Sequence, residues 1–98
     1  MGIVMHVSFT AKLDTAREQR TIGQIKAFAP WRAADRELGE LDREIALRAL
    51  VRAAEDYEAD GVVEVVYGIE ECRNDECAGL TLRRLVASGR AVRLALAA

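Results

Sequence analysis

The chain has a single proline, Pro30, and the segment behind it, residues 35–57, limits the fold more than any other. Within it Leu38, Leu41, Ile45 and Ala49 recur at helical spacing. From residue 45 onward the apolar arc widens to include Ala46, Leu47, Leu50, Val51, Ala53, Ala54 and Tyr57. The remaining polar strip is mainly Arg48, Arg52, Glu55 and Asp56. Apolar residues three and four apart form one face of a helix, and an arc this wide needs more than one covering surface. A sheet can cover one side. A further part of this chain, or another copy of it, must cover the rest. Asp35 is the expected N-cap, because a short acceptor side chain satisfies a free N–H of the first turn.

The segments on either side follow a different period. Residues 3–10 alternate, with Ile3, Met5, Val7 and Phe9 on one side and Val4, His6, Ser8 and Thr10 on the other, which predicts a half-buried strand. The polar residues 14–20 read as a connection, and 21–28 as a second, weaker strand in which Gly23 marks a bulge or a close backbone approach. Asp60 followed by Gly61 supplies a turn, and residues 62–71 a third strand with Val63, Val65, Tyr67 and Ile69 on one face. Residues 80–96 predict a long strand, or a pair bent at Gly89, with Leu80, Leu82, Val86, Val92, Leu94 and Leu96 sharing a parity. The expected architecture is one α+β domain over residues 1–98: a small antiparallel sheet of about four strands packed against one long helix, in ββαββ order.

Composition narrows the functional classes. With 51% apolar and 31% charged residues among 98, the chain is neither disordered nor membrane-spanning in character. It has no apolar run near the roughly 18 residues that a spanning helix requires. Its first residues lack a basic leader and a cleavage site, so a cytoplasmic location is expected. A net charge of −2 argues against nucleic-acid binding. Arg83, Arg84, Arg90 and Arg93 form a basic stripe, but no aromatic residues interleave it, and salt links to neighbouring glutamates are the expected role. The tail "AVRLALAA" is unusually apolar and hints at a terminal strand buried against another subunit.

Cys72 and Cys77, in "EECRNDECAG", are the two cysteines of the chain. In a hairpin turning at residues 73–76, Cys72 would oppose Cys77, Ile69 would oppose Leu80, Tyr67 would oppose Leu82, and Val63 would oppose Val86. Those last three are apolar pairs on one buried face, with Val65 opposite Arg84 as the exception. Three readings stay open: reduced thiols flanking a turn, which a reducing compartment favours; a disulfide between opposed residues; or a metal site. The four-residue spacing is at the loose end of the zinc range and stands alone. Glu70, Glu71, Asp75 and Glu76 could add oxygen ligands. His6, the only histidine, could join only across the sheet or from another subunit.

No catalytic motif is present. Gly23, Gly61, Gly68 and Gly89 stand singly, so there is no phosphate loop. Carboxylates surround the cysteines and would raise their thiol pKa, which disfavours a nucleophile. Phe28 and Trp31 beside Pro30 line a pocket or contact surface, or cover the helix start.

The order of elements resembles the YbjQ-like family, which carries a heavy-metal-binding label. The similarity is clearest over residues 43–94. There "ALVRAAEDYEADGVVEVVYGI" is similar to the family's Ala-rich helix followed by Gly-Ala-Asp and Val-Val, and "SGRAVRL" to its closing Gly-Thr-Ala-Val. Gly23 matches the glycine of the family's second strand. Glu58 stands where the family has glycine, Arg90 where it prefers threonine, and the family's extra segment before the long helix is missing. The resemblance implies a ring-shaped homo-oligomer, usually a pentamer, with no established enzymatic activity and no ligand set that carries over.

The expected function is therefore a non-enzymatic homo-oligomeric binding or scaffold module. One alternative is a module that binds or senses a divalent or soft heavy-metal ion through Cys72 and Cys77, with His6 contributed across subunits. Another is a small-molecule enzyme with an interface site near Trp31 and Tyr67.

Overall fold

The computed structural model describes residues 5–13, 17–73 and 81–96. The elements run β1 (His6–Val7), β2 (Gln19–Phe28), β3 (Arg32–Ala33), α1 (Glu40–Asp56), β4 (Gly61–Cys72) and β5 (Leu82–Leu94). The sheet order is β1-β4-β5-β2, with β3 also on β5. The α+β class and the ββαββ order stand, with β3 as an added two-residue strand. β1 runs parallel to β4, and every other pairing is antiparallel. Ile3 lies outside the described residues.

Gly61 admits the parallel contact. A Cβ there would meet the His6 carbonyl oxygen at 2.7 Å and Leu13 Cδ1 at 2.7 Å. The connection expected over residues 14–20 is shorter at its end, because β2 already begins at Gln19. Ile22 is an extra residue in β2, making a bulge beside Gly23. Nothing approaches the Cβ position of Gly23, so of the two roles expected there the bulge holds.

The helix starts later than expected. Gly39 is its N-cap, without a side-chain hydrogen bond, and Asp35 is exposed in a turn closed by the Arg36 N–H donating to the Ala33 carbonyl. Residues 32–33 are needed on β5 first, and the chain then crosses to the helix. At the other end, the Ala59 N–H donates to the Ala54 carbonyl and the Glu58 N–H to that of Glu55, with Glu58 at φ 57°. This is a Schellman closure whose left-handed position glycine usually fills.

Ala46, Leu50 and Ala54 of α1 pack on Ile25, Ala27, Val62, Val65, Leu85, Ala87 and Ala91. Alanines on both sides let helix and sheet approach closely. On the opposite sheet face, Leu13 covers Val63, Val92 and Leu94.

A bulge in β4 explains why neighbouring valines serve both faces. Between Val63 and Val66, β4 advances three residues while β5 advances two, with Glu64 at φ 54°. Val62 and Val65 therefore face the helix while Val63 faces away. The expected single face for Val63, Val65, Tyr67 and Ile69 is broken at that point.

The hairpin register also differs from the expectation. Cys72 pairs with Leu82, Glu71 with Arg83, Glu70 with Arg84, Ile69 with Leu85, Tyr67 with Ala87 and Val63 with Arg90. The opposition of Cys72 to Cys77, of Ile69 to Leu80, of Tyr67 to Leu82 and of Val63 to Val86 does not hold. The observed register sets two carboxylates opposite two arginines. It also brings Gly89 under the bulge, where a Cβ would come within 2.7 Å of Val62 Cγ1. Gly89 thus marks a close approach within one continuous strand, not a bend. β5 lies between β4 and β2 at the centre of the sheet. The apolar C-terminal strand is therefore buried by its own chain, and only its extension at Leu96 is fully exposed.

Candidate functional site

Cys72 ends β4 and is disulfide-bonded. Cys77, Asp75 and Glu76 lie outside the described residues. Beside Cys72, Glu71 accepts from Arg73 Nη2 at 3.1 Å. His6 pairs with Gly61 at the opposite end of the same strand, about 36 Å away at the usual rise per residue. One copy of the chain does not bring His6 and Cys72 together. Among the described residues, no three histidines, cysteines or carboxylates gather as a metal site would require.

At the Cys72 end of the sheet, Arg84 is held on three sides. Its guanidinium carbon lies 3.7 Å from the Phe28 ring centroid and 4.3 Å from that of Trp31. Its Nε and Nη2 donate to Glu70 Oε1 at 3.0 and 2.8 Å. A planar cation between two π faces gains from both and is weakly hydrated, so arginine suits the place better than lysine. The aromatic pair that sequence left between a pocket and a helix cover is thus a clamp on Arg84. Trp31 does not share a site with Tyr67. Tyr67 packs on the helix side, where its ring is 6.2 Å from that of Phe9, whereas Phe28 and Arg84 lie on the other face.

The other arginines of the basic stripe are also engaged. Arg90 pairs with Glu64 at 3.2 Å and donates to Thr21 Oγ1. Arg93 meets Glu58 at 3.3 Å, and Arg83 donates to the Arg36 carbonyl. The expected salt links to glutamates are present at Arg84, Arg90 and Arg93. Sequence reasoning missed Asp42, a buried carboxylate in the first turn of α1 whose Oδ1 accepts from Arg32 Nε at 3.1 Å. The available signal was an acidic residue on the apolar side of the helix, in line with Ala46 and Leu50.

The exposed apolar side chains form the larger feature. Val7, Phe9, Val66 and Ile69 lie along the β1–β4 edge. Ile22 of β2 and Tyr57 after α1 lie at the opposite edge. There, with Gly23, Gln24, Ile25 and Ala91, they bound a pocket of about 200 Å³. On the helix, Leu41 is exposed, and Ile45, Ala49 and Ala53 are half-buried along a groove flanked by Arg48, Arg52 and Asp56. Among the described residues, the outer edge of β2 and the outer edge of β4 beyond residue 65 have no strand partner. No helix is long and apolar enough to cross a membrane among the described residues.

No family model matches the chain, and no curated protein matches it. Its fold is similar to that of a protein of unknown function from Pediococcus pentosaceus that belongs to the DUF74 family. The TM-score is 0.63 at 13% sequence identity, covering 93% of this chain and 98% of that one. DUF74 is the YbjQ-like family. At this identity the likeness is one of fold.

Proposed function

We propose that this chain is a divergent YbjQ-like protein that acts as a non-enzymatic homo-oligomeric binding or scaffold module, assembled as a ring of five. The observation that carries the reading is surface. A compact monomer of this mass exposes roughly 5,500 Å², whereas this chain exposes 6949 Å². It is also long, at 57 × 27 × 22 Å. Its radius of gyration is 15.7 Å, against about 13 Å for a compact domain of this length.

Exposed apolar side chains also lie at two sheet edges that differ from each other: Phe9, Val66 and Ile69 at one, Ile22 and Tyr57 at the other. Contact between unlike surfaces repeats head to tail, and it closes into a ring when the rotation per copy divides a full turn. The charged side chains described above are used within the chain: Arg84 with Glu70, Arg90 with Glu64, and Arg32 with Asp42 each tie one element to another. That use supports a structural module. The likeness to a DUF74 fold supports the family.

Light scattering at micromolar concentration tests the reading. A mass of about 54 kDa, five times the 10.8 kDa chain, is expected. A 10.8 kDa particle at that concentration sinks the proposal.

A further inference from the structure

We draw no further inference here: the strongest candidate, the cavity of about 420 Å³ at the end of the sheet where Arg20 of β2 pairs with Arg93 of β5, carries no anion site, because Glu18 lines it as well and Arg93 is already bonded to Glu58 and to the Tyr57 carbonyl oxygen.

Discussion

Gly89 lies beneath Val62 so closely that a Cβ at position 89 would stand 2.7 Å from Val62 Cγ1 and 3.0 Å from the Val63 carbonyl oxygen. Val62 is fully buried, and the carbonyl belongs to backbone fixed by the sheet, so neither can give way. Gly89→Ala is therefore expected to lower the free energy of unfolding by about 2 kcal/mol through overpacking. Ser88→Ala, on the open face beside it, should stay within about 0.5 kcal/mol. Urea denaturation of both variants measures the difference.

Glu58 holds the left-handed position that ends the helix, at φ 57°. Glu58→Gly should raise stability by about 1 kcal/mol, because glycine enters this region without the steric cost borne by other residues. The ion pair lost with Arg93 is largely exposed and contributes little. Glu58→Ala keeps the strained backbone and should leave the thermal midpoint nearly unchanged. A rise with alanine equal to that with glycine would assign the gain to charge removal.

Arg84 between Phe28 and Trp31 gives a spectroscopic handle, since Trp31 is the only tryptophan in the chain. Arg84→Lys keeps the charge but loses the planar stack and the paired donors to Glu70. It is expected to cost about 1 kcal/mol. Arg84→Ala should also shift the tryptophan emission to the red as water reaches the ring. An unchanged spectrum in Arg84→Ala would show that the stack does not form in solution.

Asp42 and Arg32 make a pair in which the carboxylate is buried and the arginine partly so. Asp42→Ala strands Arg32 and should cost about 2 kcal/mol, the penalty of a shielded donor without its acceptor. The double variant Asp42→Leu, Arg32→Met should recover most of that loss, because removing both charges also removes their desolvation cost. A double variant less stable than the single one would contradict this account.

Metal content separates the module reading from its metal-binding alternative. Protein purified without chelator and kept reduced is expected to hold the same metal per chain as the Cys72→Ser, Cys77→Ser variant, measured by elemental analysis. One metal ion per chain in the wild type and none in the variant would establish a thiolate site.

The periods of apolar residues located the long helix and the three long strands, because each buries one stripe or one face. They did not reveal register. Parity arguments assume an unbroken strand, and Glu64 breaks this one by leaving the extended region, a departure that nothing in its chemistry announces. The helix-facing side of β5 was hidden for a second reason. Apart from Leu85 it is built from Ala87, Gly89 and Ala91, whose small side chains give a weak signal, while the larger Val86, Val92 and Leu94 pointed to the opposite face. Phe9 was grouped with the apolar side of the first strand, yet it is exposed at the edge. Only the placement of its neighbours could show that.

The bulge at Glu64 also bears on how this chain can change over evolutionary time. Loss of the Glu64 codon would only restore the regular ladder, with Val65 opposite Gly89 and every side chain from residue 65 to residue 72 on its present face. Loss of a codon at any other place in β4 would turn over the side chains on one side of it. Descendants of this sequence can therefore shed a residue at position 64 more readily than anywhere else along the strand.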